Sequence, residues 1–237
     1  AESGVHVHLY DRLCPTPMLS FAVRHLHCSA GIVISASHNT KEYNGIKCYG
    51  PDGGQMTEIP AAKVSAAIET IDLFEPEHLR FEEALEKGLV TYIPDSVWQD
   101  YYARISREAI YPENVKKAAL RVVYSPLCGA GGEPVSEMLT RLGAELHIPE
   151  SQRLPSGEFA SCPTPNPETD SAFDENYKLA AQCRPDIILA TDPDSDRIAA
   201  AIPVGGGFRK LSGNEMGCLL LDYILRNLKK NGTLPEK

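Results

Sequence analysis

Apolar positions along the chain switch repeatedly between two periods. Val5 to Tyr10 alternates apolar and polar residues like a strand, and Thr16 to His27 takes up helical spacing with Pro17 in its first turn. Gly31 to Ser35 is a nearly continuous apolar run, which predicts a central strand. Asn44-Gly45 signals a turn before a short strand, Ile46 to Tyr49, and Pro51-Asp52-Gly53-Gly54 signals another. Val64, Ile68 and Ile71 mark one helical face; Val97, Tyr101 and Ile105 mark a second. Tyr111-Pro112-Glu113-Asn114 breaks the pattern and predicts a domain boundary there. The first residues, Ala1-Glu2-Ser3-Gly4, resemble a helix end with its glycine cap. There is no initiator Met, so the expectation is that the N-terminal part of a first domain is missing.

A second alternating unit follows. Leu120 to Tyr124 predicts a strand, Gly129-Ala130-Gly131-Gly132 a flexible loop, and Pro134 the first turn of a helix that buries Val135, Met138, Leu139 and Leu142. Leu146 to Ile148 is a short strand. Residues 155–167 form a Pro-rich loop, and Ser171 to Cys183 is helical. Ile187 to Thr191 is a strand that runs into an acidic loop, Ile198 to Ile202 resumes extended structure, and Asn214 to Lys230 is the last helix. Strands alternating with helices predict an α/β protein: two three-layer α/β/α sandwich modules with mixed, largely parallel sheets, divided into residues 1–112 and 113–237.

The totals narrow the function. The 237 residues suffice for one large or two modest domains. Lys plus Arg is 23 against 32 Asp plus Glu, a formal net charge of -9. That balance argues against a nucleic-acid backbone as partner, while leaving room for small phosphorylated molecules held by a local cation. No apolar run approaches the roughly 20 residues that span a bilayer, so no membrane partner is expected. Seven cysteines without a C-x-x-C pair indicate neither a disulfide framework nor a zinc site and predict a reducing, cytoplasmic setting.

Two loops carry candidate chemistry. Ser35-Ala36-Ser37-His38-Asn39-Thr40 ends an apolar strand in small and hydroxylic residues, the way a sheet presents a reactive hydroxyl at its edge. A serine needs a base or another activating device, and the G-x-S-x-G elbow is absent. In the second loop, Thr191-Asp192-Pro193-Asp194-Ser195-Asp196-Arg197, three alternating carboxylates repel one another unless a cation screens them. Hard oxygen ligands suit Mg²⁺ or Ca²⁺. An EF-hand is excluded, because its Gly and Glu positions hold Arg197 and Pro203. Arg197 is either a salt-bridge partner or a fork for phosphate oxygens. Lys47 shares a strand face with Tyr49, and Ile46 and Cys48 are expected to face the core. That turns Lys47 toward solvent or a cleft, as a cation for a phosphoryl group or a group for proton transfer. His6 and His8 lie on one side of a strand and are taken as ordinary exposed positions. Gly129 to Gly132 lacks the Lys and Ser/Thr of a P-loop and is taken as a turn.

Taken together, Ser35-Ala36-Ser37-His38-Asn39 with Asn44-Gly45-Ile46-Lys47, and Asp192-Pro193-Asp194-Ser195-Asp196-Arg197, resemble the α-D-phosphohexomutases of the phosphoglucomutase/phosphomannomutase type. Tyr124-Ser125-Pro126-Leu127-Cys128-Gly129, Pro165-Asn166-Pro167-Glu168 and Leu211-Ser212-Gly213-Asn214-Glu215 support the likeness. The resemblance implies that Ser37 is the phosphoserine. Asp192, Asp194 and Asp196 would bind Mg²⁺ together with its phosphate, Lys47 would serve acid/base transfer, and His38 and Arg197 would support the phosphoryl group. The implied reaction interconverts hexose 1-phosphate and hexose 6-phosphate through glucose 1,6-bisphosphate or its mannose counterpart. Thr40 stands where the family usually has proline, and Ser195 where it has alanine or glycine. The family's sugar-recognition motif G-E-x-S-G-H is absent from the sequence, so the chain matches domains 1 and 2, with domains 3 and 4 not represented. The rival readings are a glucosamine-phosphate mutase, whose acidic loop normally carries Gly at the place of Pro193; a non-catalytic sugar-phosphate or metal-binding module; and a hydrolase with an aspartate nucleophile.

Overall fold

The computed structural model describes residues 4–72 and 79–235. The expected helix end at Ala1 to Ser3 lies outside them. The chain divides into two compact units: Ala1–Cys14, Met18–Ile34 and Ile46–Tyr101 form the first, and Pro15–Pro17, Ser35–Gly45 and Tyr102–Lys237 form the second. This division falls ahead of residue 112, and two short stretches of the N-terminal half cluster with the second unit.

In the first unit, β1 (Val7–Leu9) pairs in parallel with β4 (Val90–Tyr92), and β2 (Gly31–Ile34) pairs antiparallel with β3 (Ile46–Tyr49). Helix α1 (Thr16–His25) carries Ala22, which packs with Ile93, Val97, Tyr10, Phe21 and Leu26. Val97 and the fully buried Trp98 sit on α4 (Asp95–Ser106), whose first turn begins the 97/101/105 spacing of the sequence. Helices α2 (Glu58–Ile68) and α3 (Phe81–Glu86) complete the unit.

Two expectations fail here. Registered partners share a face, so Ile32, Cys48, Ile34 and Ile46 project to one side of the β2–β3 pair, and Gly31, Tyr49, Val33 and Lys47 to the other. Val23 and Leu19 of α1 lie over Gly31, so α1 covers the second face. Tyr49 is buried there, while Ile34 is 71% and Ile46 64% exposed. The larger Tyr49 ring takes the covered side, opposite to the expected arrangement. Strand β2 is bonded to β3 alone among the described residues, so it is not central.

The second unit is built on one five-stranded sheet, ordered β6 (Glu145–His147), β5 (Arg121–Ser125), β7 (Ile187–Thr191), β8 (Ile198–Val204), β9 (Gly207–Lys210). Strands β6, β5 and β7 run parallel; β8 and β9 return antiparallel. The expected mixed α/β character is present. Among the described residues three ladders are parallel and three antiparallel, so the parallel share is smaller than expected. The core joins Val123, Leu127, Phe173, Ala180, Ile188, Ala190 and Ala201, with Tyr177, Leu179 and Cys183 packed against it. The expected Ser171 to Cys183 helix is a 3-10 turn followed by α8 (Asp174–Cys183). Two short helices, α5 (Glu113–Lys117) and α7 (Glu150–Arg153), flank the first parallel strands, and α6 (Gly132–Arg141) follows β5. Helix α9 (Gly213–Lys230) begins with a reciprocal cap between Ser212 and Glu215, yet buries no residue. All seven cysteines are free thiols, and no helix among the described residues is long and apolar enough to cross a membrane.

Candidate functional site

Strand β7 buries Ile188, Ala190 and Thr191 and ends at Thr191, which delivers Asp192 directly into the interior of the second unit. Asp192 is fully buried and Asp194 is 6% exposed, while Asp196 is exposed. One oxygen from each of the three carboxylates lies within 4.8 Å of the others. The loop is tightly wound: Ser195 donates its backbone N–H to the carbonyl of Asp192 and adopts a left-handed φ of 57°. Asp192 Oδ1 accepts the backbone N–H groups of Asp196 (3.1 Å) and Arg197 (3.0 Å).

The serine loop belongs to the same unit. Ser37 has φ 53°, a left-handed conformation that is uncommon for a residue with a Cβ and that collects at functional sites. Its Oγ lies 3.0 Å from Asp192 Oδ2 and 3.1 Å from Asp194 Oδ1. A hydroxyl has one proton, so it donates to only one of the two carboxylates at a time. Nδ1 of His38 is 3.4 Å from the same Oγ. The turn is held by Ser35, whose Oγ accepts the Ser37 N–H at 2.8 Å and donates to Asp194 Oδ2 at 2.9 Å. Thr16 adds a further hydroxyl to Asp194 Oδ2 at 3.3 Å, and its N–H donates to the Asp194 carbonyl. Neither Ser35 nor Thr16 was assigned a role from the sequence. Ser35 lies two residues from Ser37 and was legible as a possible turn-former; Thr16 is 178 residues from Asp194 and leaves no local signal.

Electrostatics makes this cluster unusual. Burial is the main force raising the Asp192 carboxyl above its ordinary range, and the Asp194 carboxylate adds to it. Two buried carboxylates stand with a third beside them, and among the described residues no cationic side chain bonds Asp192. Such an arrangement favours a proton on Asp192 or a cation beside it. Three aspartate oxygens beside a serine hydroxyl make an all-oxygen donor set, which fits a hard divalent ion such as Mg²⁺ or Ca²⁺ and not a soft one.

The remaining sequence candidates are placed as follows. Arg197 is exposed, and its backbone N–H, not its guanidinium, bonds Asp192. Lys47 is on β3 of the first unit, in register with Val33. His6 and His8 meet edge to face and both reach the Thr91 hydroxyl, an ordinary polar contact on the β1–β4 pair.

Fold and cluster define a mixed α/β protein in which a serine in a strained loop meets an acidic loop beyond a strand's carboxyl end. Residues 1–75 match the family model described as phosphoglucomutase/phosphomannomutase, alpha/beta/alpha domain I, and residues 99–205 match domain II of the same family. The chain belongs to the α-D-phosphohexomutase family. It is 37% identical over 231 residues to a phosphoglucomutase of Staphylococcus aureus (strain bovine RF122 / ET3-1), covering 95% of this chain and 41% of that protein. With a phosphoglucomutase of Staphylococcus epidermidis it shares 33% identity over 241 residues, covering 100% of this chain and 43% of that protein. The chain thus spans about two fifths of the length of the curated relatives it matches. Its fold is like that of a candidate phosphomannomutase from Thermus thermophilus, with a TM-score of 0.72 and 24% identity over 94% of this chain and 47% of that one. A Burkholderia thailandensis protein of the phosphoglucomutase/phosphomannomutase family gives 0.64 and 20% over 92% and 43%.

Proposed function

We propose that this chain carries the phosphoryl-transfer half of a phosphohexomutase that interconverts hexose 1-phosphate and hexose 6-phosphate of glucose or mannose. The observation that carries this reading is the Ser37 Oγ within 3.1 Å of two buried aspartates. Ser37 is the phosphoryl carrier. When it is phosphorylated, the P–O bond to Ser37 breaks as a bond forms to O1 or O6 of the sugar monophosphate, and the sugar hydroxyl proton leaves to a base. The resulting 1,6-bisphosphate reorients and returns its other phosphate to Ser37.

Asp192, Asp194 and Asp196 would hold Mg²⁺, which supplies charge neutralisation for the transferring phosphoryl group when bound. Ser35 and Thr16 orient Asp194 through their hydroxyls. The strained φ of Ser37 keeps its Oγ aimed at the cluster, so little reorganisation is needed at the moment of transfer. His38, within 3.4 Å of that oxygen, steadies the phosphoryl group, as does Arg197, whose planar fork matches phosphate oxygens. Lys47 matches the family lysine for acid/base transfer. The domain organisation is proposed as family domain 1 followed by domain 2, and the setting as cytoplasmic.

Incubation with glucose 1,6-bisphosphate and Mg²⁺, followed by intact mass and peptide mapping, tests the assignment. One phosphate on Ser37, absent from Ser37→Ala, is expected. Phosphate mapped elsewhere, or none under conditions where Mg²⁺ binding is measured, overturns it.

A further inference from the structure

The acidic loop has two sides, and only one is used by the ligands. Asp192, Asp194 and Asp196, the even positions, bear the carboxylates. The odd positions, Thr191, Pro193 and Ser195, are gripped by residues on and after β5. Thr191 Oγ1 lies 2.9 Å from the phenol of Tyr124, which is fully buried near the end of β5. Ser195 bonds the same phenol. The carbonyl of Pro193 accepts the N–H of Ala130 at 2.7 Å. At Gly129 the chain backs onto Pro193 so closely that a Cβ would lie 2.2 Å from Pro193 Cα. At Gly131 a Cβ would meet Ser195 Oγ at 2.5 Å, Tyr124 Oη at 2.5 Å and Thr191 Oγ1 at 2.9 Å. Gly131 has φ -72°, a conformation open to any residue, so its glycine serves the close approach and not the backbone. The three oxygens therefore converge on one point that only a residue without a side chain leaves open.

We propose that Tyr124, Ser195 and Gly131 are positioning residues that mould the acidic loop from behind and set the spacing of its three carboxylates for a divalent cation. The inference rests on the metal reading above and deepens it. Tyr124 fastens the loop on both sides of Pro193: through Thr191 just before the first carboxylate and through Ser195 just before the last. Ala130 fixes the crown between them. With the odd positions pinned, the even positions cannot spread under their mutual repulsion. Such outer hydrogen bonds typically matter about 10–100-fold in metal affinity.

The test is Mg²⁺ affinity by calorimetry, with Mn²⁺ electron paramagnetic resonance as a signature of ligand geometry, on the full chain and five variants, the double variant Tyr124→Phe/Ser195→Ala serving as the second background for Gly131→Ala. Unfolding in EDTA is measured in parallel as the record of stability. Tyr124→Phe and Ser195→Ala are each expected to weaken Mg²⁺ about tenfold and to broaden the Mn²⁺ spectrum. Gly131→Ala should weaken it further, and removing the obstructing hydroxyls in the triple variant Gly131→Ala/Tyr124→Phe/Ser195→Ala should make the alanine far less harmful than in the otherwise unchanged chain. Unchanged affinity and spectrum in Tyr124→Phe and Ser195→Ala, beside an unmodified chain that binds Mg²⁺, overturns the proposal. So does an alanine at 131 that is equally harmful in both backgrounds, or a loss of stability with no change in affinity. An unmodified chain that binds no divalent cation overturns the metal reading itself, a distinct result.

Discussion

At the scale of single residues, the Asp192 carboxyl is strongly perturbed. Burial first, and then the Asp194 carboxylate, push it from an ordinary 3.8 up to about 7. A raised carboxylate pKa means that the fold favours the protonated form. In the metal-free chain, the stability this group contributes is present below about pH 4 and is lost as pH rises toward about 7. Mg²⁺ held as proposed would compete with that proton. Metal binding is therefore expected to tighten as pH rises through about 7, and to release a proton near neutral pH. Calorimetry in buffers of different ionisation enthalpy reads the proton directly. A binding enthalpy independent of buffer would show Asp192 to be ionised before the metal arrives. The sequence displayed the repulsion among Asp192, Asp194 and Asp196, because closely spaced carboxylates declare themselves. It did not display which two are buried, nor the hydroxyls of Thr16 and Ser35 on Asp194, because those partners are brought in by the fold from distant or uncharged positions.

At the scale of elements, α9 shows how local signals and packing differ in legibility. Its start is written in the sequence as Ser212-Gly213-Asn214-Glu215, and the reciprocal cap forms as that pattern implies. Ser212→Ala is expected to cost about 1 kcal/mol, and Ser212→Gly only a few tenths; urea unfolding distinguishes them. Glu215 is held down to about 2, first by the Ser212 N–H and then by Arg209. Its contribution is thus present above about pH 4.5 and is lost as pH falls toward 2. Glu215→Gln should accordingly destabilise the chain at neutral pH and make little difference near pH 2. An equal effect at both pH values would exclude the charge as the cause. Strand β7 was equally legible, a continuous apolar run between loop residues. Strand β9 and helices α3, α5 and α7 were not. They span four to six residues, too few for a period to stand out, and tertiary packing decides them. The faces of β2 and β3 were misjudged because alternation gives two faces without saying which one a helix covers; α1 covers the side of Tyr49.

At the scale of the whole molecule, the chain's balance of charge and its extent decide what it can do alone. A formal net charge of -9 surrounds a site that, on the proposed function, would receive an anionic sugar phosphate. The overall field opposes such a ligand, so its capture would depend on local cations: Mg²⁺ on the acidic loop, Arg197, and whatever further groups would hold the sugar's second phosphate. The chain spans about two fifths of its curated relatives, and the G-E-x-S-G-H motif is absent from its sequence. Uniting phosphoryl transfer with reorientation of a bisphosphate requires the sugar to be held at both ends, since positioning supplies most of the catalysis in phosphoryl transfer. This chain by itself is therefore expected to accept phosphate on Ser37 slowly, yet to convert glucose 1-phosphate to glucose 6-phosphate no faster than background. A coupled assay for glucose 6-phosphate, run beside the mass measurement on one preparation, separates the two steps. Turnover at the level of an intact phosphoglucomutase would show that the two units already hold the whole sugar, and would remove the need for a second grip on it.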